Sequence, residues 1–99
     1  MLYVIIGTDA SDSGAARGEA REAHVGRIRS LCDDGRLVLA GPQPAIDAED
    51  PGPAGFDGSL IVAEFASLAD ARAWAEGDPY LESGAWVRVE ARPFVQVLP

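Results

Sequence analysis

The chain carries a single histidine, a single cysteine and no lysine, so the placement of a few side chains decides which chemistry is open to it. His24 falls in a stretch where Ala20, Ala23, His24, Arg27, Ile28 and Leu31 recur at three- and four-residue spacing. With about 100 degrees of helical turn per residue, positions 17, 20, 24, 28, 31 and 35 share one narrow arc, and that arc is the apolar one. The imidazole is therefore expected to point inward and to be partly buried. An ordinary imidazole, with a pKa of about 6.5, changes charge near neutral pH, and a carboxylate beside it makes it a competent acid or base. The same arc carries Arg17 and leaves Arg21 at its margin. Two guanidinium forks next to an imidazole suit a small anionic substrate, since such forks match carboxylates in a bidentate way. The competing expectation is structural: a core histidine bonded to a backbone carbonyl, with the arginines pairing surface acids.

Asp78 is the best candidate for the carboxylate, because the residue before a proline is held extended and the tight Gly77-Asp78-Pro79 turn fixes its direction. A helix N-cap, stabilising by about 1 kcal/mol, would account for the same residue. Asp33 and Asp34 rank below it, since they fall at the C-terminal end of the first helix, where the dipole disfavours negative charge. Ser59 shares a strand face with Ile61, Ala63 and Phe65, which makes it either a hydrogen-bond donor to a ligand or a satisfied core hydroxyl. One His and one Cys give no zinc or haem spacing, and no glycine-rich loop follows a strand, so neither a metal nor a nucleotide cofactor is expected. A Ser59-His24-Asp78 hydrolase is discounted for want of a nucleophile-elbow motif.

The elements that must position these groups follow from local patterning. Leu2–Ile6 is a continuous apolar run ended by Gly7-Thr8-Asp9, the pattern of a strand covered on both faces. Gly14 and Gly18 predict a broken turn over 10–18, followed by a helix from about Glu19 to Asp34 that Gly35 caps. A second strand, Leu37–Ala40, is expected to stop at Gly41-Pro42, leaving Gln43–Gly58 as a long loop that could serve as a lid or a plain connector. Ser59–Phe65 reads as a third strand, and Ser67-Leu68-Ala69-Asp70 as the capping box of a helix ending at Gly77. A single helical turn then opens at Asp78 and Pro79. The fourth strand, Trp86–Ala91, places Val87, Val89 and Ala91 on one face and Trp86, Arg88, Glu90 and Arg92 on the other, before Pro93 interrupts it and an apolar tail, Phe94–Leu98, follows.

Strand, helix, strand, strand, helix, strand is the α+β, ferredoxin-like βαββαβ plan, with both helices on one face of an antiparallel sheet. Since the first and third strands are apolar on both faces, a second copy stacking sheet on sheet is expected to cover the other side, giving a homodimer. At 99 residues and 10.4 kDa the chain, 1–99, has room for one domain only. A net charge of -8 and a pI near 4.4 argue against nucleic acid and anionic membranes as partners. Cys32 has no internal partner, and the run Leu2–Gly7 is too short for a signal peptide or membrane span, so a cytoplasmic protein is expected.

The start Met1-Leu2-Tyr3-Val4-Ile5, the Arg21-Glu22-Ala23-His24 helix, Asp34-Gly35-Arg36-Leu37 leading to Ala40-Gly41-Pro42, Gly55-Phe56-Asp57-Gly58-Ser59, and Trp74 with Asp78-Pro79-Tyr80 together resemble the YciI-like family nearly end to end. The resemblance implies a dimeric α/β barrel of ferredoxin-like subunits and a pocket with a His-Asp acid/base dyad, here His24 and Asp78. The sequence departs from the family pattern in having Glu22 where the resemblance leads one to expect proline. The family is similar in fold to muconolactone isomerases and small monooxygenases, and one branch resembles a dehydrochlorinase of a chlorinated hydroxyquinol. The expected function is a cofactor-independent lyase or isomerase acting on a small oxygenated cyclic or aromatic molecule. In it His24 moves a proton, Asp78 orients it, Arg17 or Arg21 holds an anionic oxygen and Ser59 donates a hydrogen bond. The alternatives are a non-catalytic module that binds a small metabolite in the same pocket, and a structural dimer in which His24 and Asp78 serve stability alone.

Overall fold

Leu2–Asp9 forms β1, in which Tyr3, Ile5 and Gly7 are buried while Leu2, Val4 and Ile6 on the opposite face are half-covered. The computed structural model describes residues 1–99. Helix α1 spans Gly14–Asp33, and its buried residues, Ala20, His24 and Leu31, are those of the predicted arc. The helix starts earlier than its glycines suggest. Ser13 Oγ donates to Asp9 at 2.6 Å and Arg17 pairs with the same carboxylate, so the end of β1 anchors the first turns and outweighs the roughly 1 kcal/mol that each glycine costs a helix. Gly35, at φ 71, takes the left-handed conformation that turns the chain towards the next strand.

β2 runs over Leu37–Pro44 and β3 over Phe56–Glu64, both longer than expected. β2 does not stop at Pro42, because it is the outermost strand of a sheet ordered β2-β3-β1-β4. An edge strand tolerates a residue that has no N–H to give, so Pro42 stays in register opposite Ser59. The long loop thereby shrinks to residues 45–55. It is closed by the Ala45 amide bonding to the Gly55 carbonyl and contains a 3₁₀ turn at Gly52–Ala54.

α2, Leu68–Glu76, opens on Ser67, whose hydroxyl accepts from the Asp70 amide at 3.1 Å, and is capped by Gly77. α3, Pro79–Glu82, opens on Asp78. β4 spans Trp86–Phe94 and passes through Pro93, again on an edge. All strand pairs are antiparallel, and the order and connections are those of the ferredoxin-like α+β fold. No helix is long and apolar enough to cross a membrane.

One correction to β4 bears on the site. The β1–β4 register runs regularly to Thr8 opposite Arg88 and then shifts, so that Asp9 faces Trp86. This bulge breaks strict alternation. Trp86 lands on the helix-covered face, 2% exposed, while Val87 is left 61% exposed; the expected grouping of Trp86 with Arg88, Glu90 and Arg92, and of Val87 with Val89 and Ala91, does not hold. The core on the helix face is built from Tyr3, Ile5, Leu31, Ile61, Ala63, Phe65 and their neighbours, and a second cluster joins Ala20, Tyr80, Ala85 and Trp86 where α1, α3 and β4 meet.

Candidate active site

His24 and Asp78, separated by more than fifty residues of chain, meet between α1 and the start of α3. Nδ1 of the imidazole lies 2.7 Å from Asp78 Oδ1 and 2.9 Å from Oδ2. The Asp78 side chain is fully buried and that of His24 is 7% exposed. Asp78 Oδ1 also accepts the Tyr80 amide at 2.9 Å, and Oδ2 lies 3.4 Å from Arg27 Nη1. A carboxylate accepts and does not donate when ionised, so the proton of this contact belongs to Nδ1, and Nε2 is the ring nitrogen of a neutral His24 left to act as acceptor. The helix cap and the histidine partner, which the sequence leaves as rival roles for Asp78, are one carboxylate serving both.

The imidazole is clamped by aromatic rings. Tyr80 stacks on it at 3.8 Å between centroids with the planes 9° apart. Trp86 meets both edge-on, at 5.4 Å from His24 and 5.6 Å from Tyr80. The Trp86 ring reaches this position only because residue 7 is glycine, since a Cβ there would collide with the indole Cε2 and Cδ2. Trp86 Nε1 is the one buried side-chain polar atom without a partner.

Arg17 is more committed than its expected substrate-binding part requires. Its Nε and Nη2 pair with the two Asp9 oxygens at 2.6 and 2.8 Å, and Nη2 also reaches the Gly58 carbonyl and Ser59 Oγ, each at 3.0 Å. The Asp9 side chain is 1% exposed. Burial pulls the Arg17 pKa down, but the hydrogen bond and charge of Asp9 more than reverse that and hold it above its ordinary value. Arg17 is thus a fixed wall whose charge Asp9 offsets, with the Tyr80 phenol as a further hydrogen-bond partner. Arg21 is exposed and makes no ion pair. Arg27 lies over the Trp74 ring at 4.3 Å and donates to the Trp74 carbonyl at 2.8 Å, which holds it beside Asp78.

These side chains border a cavity of about 230 Å³, lined by Arg17, Arg21, His24, Ser59 and Tyr80 on its polar side and by Ile28, Ala40, Pro42 and Ile61 among its apolar residues. Four of the five residues singled out for chemistry therefore open on one cavity, and the fifth, Asp78, stands behind His24. Burial pushes the Tyr80 phenol above its ordinary value, a rise that the charges of Arg17 and Arg21 and a hydrogen bond with Arg17 oppose without cancelling. No group of three or more His, Cys, Asp or Glu side chains is placed to hold a metal ion. Asp9, Arg27 and Tyr80 are not singled out by the sequence. Arg27 had a signal, one helical turn beyond His24. Asp9 had none, because its contacts depend on α1 beginning at Gly14.

A ferredoxin-like α+β chain with a buried His-Asp pair behind a small arginine-lined cavity defines the class. This chain belongs to the YCII-related domain family, whose model matches residues 1–95. Protein YciI of Escherichia coli is 50% identical over 97 residues, covering 98% of this chain and 99% of that one. An uncharacterized protein of Haemophilus influenzae is 43% identical over the same shares. Among solved structures, the 5-chloro-2-hydroxyhydroquinone dehydrochlorinase TftG of Burkholderia phenoliruptrix, in complex with 2,5-dihydroxybenzoquinone, aligns with a TM-score of 0.81 over 96% of this chain and 94% of that chain. At 20% identity that likeness is one of fold.

Proposed function

We infer that the cavity is the active site of an enzyme of the lyase or isomerase type that acts on a small hydroxylated ring by proton transfer and needs no cofactor. The observation that carries this reading is the Nδ1 contact of His24 with a fully buried Asp78, which leaves Nε2 as the base on the cavity side of the pair. Nε2 takes a proton from a C–H or O–H group of the ring, and the bonding electron pair moves into the ring system. Asp78 stabilises the imidazolium that results. If an anion then leaves, the reaction is an elimination, which for a chlorinated ring is net loss of HCl; if His24 returns the proton to another carbon, it is an isomerisation. Arg21, the cavity-lining arginine that makes no ion pair, holds the anionic oxygen in this reading, while Arg17 and Ser59 shape the wall it lies against. A cavity of about 230 Å³ is smaller than the roughly 300 to 1,000 Å³ of sites for drug-sized ligands and fits one small ring.

The fold likeness to TftG supplies the first compound to try. Incubation with 5-chloro-2-hydroxyhydroquinone and a panel of other small hydroxylated rings, followed by chloride release and product spectra, is expected to show turnover. His24→Ala should reduce it by about a hundred- to ten-thousandfold, the usual worth of general acid–base catalysis, while the chain stays folded. Near-normal turnover in that variant removes the imidazole from the mechanism. A ring that binds and emerges chemically unchanged would make the chain a binding module instead.

A further inference from the structure

We propose that Tyr80 is a third catalytic group of this cavity, its phenol donating a hydrogen bond to an oxygen of the bound ring while His24 moves the proton. The proposal rests on the reading of the cavity as a site for a hydroxylated ring and adds to it a group that the His-Asp pair does not provide. Tyr80 is tied to both members of that pair, for its amide donates to Asp78 Oδ1 and its ring lies flat against the imidazole. Those contacts use its backbone and its ring face. Its amide and carbonyl bond within the chain, and the side chain that bonds its phenol is Arg17, whose guanidinium can only donate, so no acceptor in the chain takes the proton of its hydroxyl.

A tyrosine that is 2% exposed ordinarily finds a partner for its hydroxyl. Here that partner is Arg17, a donor only, and the residue borders the cavity with its own proton unspent. The Arg17 guanidinium carbon lies 5.0 Å from the ring centroid, and a fixed positive charge beside a phenol strengthens the O–H as a donor. Burial nevertheless keeps the phenol protonated through the neutral range, so the donor is present wherever His24 works as a base. As a ring loses its proton to Nε2, negative charge grows on its oxygens. A donor already in place and shielded from water stabilises that charge more than it stabilises the resting ring.

The test uses the whole chain, the probe 2,5-dihydroxybenzoquinone, whose ring carries only oxygen acceptors and acidic hydroxyls, and the variant Tyr80→Phe, which keeps the stacked ring and removes the hydroxyl. Because the chain has one histidine, the proton resonance of the His24 Nδ1–H reports directly whether the pair with Asp78 survives the substitution. The expected result is probe binding to the unaltered chain, about ten- to a hundredfold weaker binding to Tyr80→Phe, as for loss of a hydrogen bond to a charged group, and an unchanged Nδ1–H resonance. Equal affinity of the two chains overturns the part given to Tyr80 and leaves the proposed function standing. Loss of the Nδ1–H resonance in Tyr80→Phe overturns it too, by assigning the hydroxyl to upkeep of the pair. No binding to the unaltered chain overturns both readings together.

Discussion

Asp78 caps α3 through Oδ1 and lies 2.7 Å from His24 Nδ1 with the same oxygen, so its structural and chemical contributions are separable only by a substitution that keeps one and removes the other. Asn caps a helix about as well as Asp. An amide, however, can present N–H to Nδ1, which moves the imidazole proton to Nε2 and leaves no acceptor facing the cavity. Asp78→Asn is therefore expected to melt close to the unaltered chain while losing about a hundred- to ten-thousandfold in turnover. Asp78→Ala should in addition lose about 1 kcal/mol of capping stability. Thermal melts and turnover measured side by side decide the matter: full activity in Asp78→Asn would reduce Asp78 to a helix cap. The arginines divide in a similar way. Arg17 is spent largely on Asp9, whereas Arg21 makes no ion pair, so of the two candidates for holding an anionic oxygen the geometry favours Arg21.

At the scale of elements, Gly7 and the β4 bulge decide whether the site closes. The bulge turns Trp86 onto the helix-covered face, and Gly7 makes room for the indole that edges both His24 and Tyr80. Gly7→Ala should push the indole away at a cost of about 1 to 3 kcal/mol, the usual range for overpacking a filled core. A lower denaturation midpoint with a changed tryptophan emission would show it; an unaltered midpoint would mean that the ring has room to move. Neither device is visible in the sequence, because a bulge is a relation between two strands and a close approach is a relation between distant residues. What the sequence does reveal is local: the arc of α1 that turns His24 inward, the Ser67 cap of α2, and the Asp78-Pro79 opening of α3. The places where the structure departs from local rules share one cause, which is tertiary context overriding propensity. Gly14 and Gly18 are helical because Ser13 and Arg17 are tied to Asp9. Pro42 and Pro93 sit inside strands because both strands are edges. His24 and Asp78 were legible as separate candidates because each has a local pattern, and their pairing was what the family resemblance implies, whereas Arg17 with Asp9 was hidden by the early start of the helix.

For the molecule as a whole, the face of the sheet away from the helices still wants cover. Val4, Ile6 and Leu60, half-covered on β1 and β3, flank Val62, which is already buried, and this apolar patch continues onto β2 at Leu39, which is 52% exposed. On β4 the face turns polar, with Arg88, Glu90 and Arg92 opposite Thr8, Ile6 and Val4. Beyond it the tail leaves Val95, Val97 and Leu98 in the open. We propose that a second copy of the chain stacks on this face, sheet to sheet, with the apolar half of each copy meeting the other about a two-fold axis and the tail lying along the seam. Leu39 is the residue to change. It is already half in water in a single chain, so Leu39→Asp costs an isolated subunit little, whereas two aspartates brought into one apolar seam cost several kcal/mol of association. Sedimentation of the unaltered chain is expected to give twice the mass of one chain. Leu39→Asp is expected to give the single mass, with the far-ultraviolet circular dichroism of the folded subunit retained. A substituted chain that still sediments as a pair, with undiminished affinity, would place the interface elsewhere on the surface.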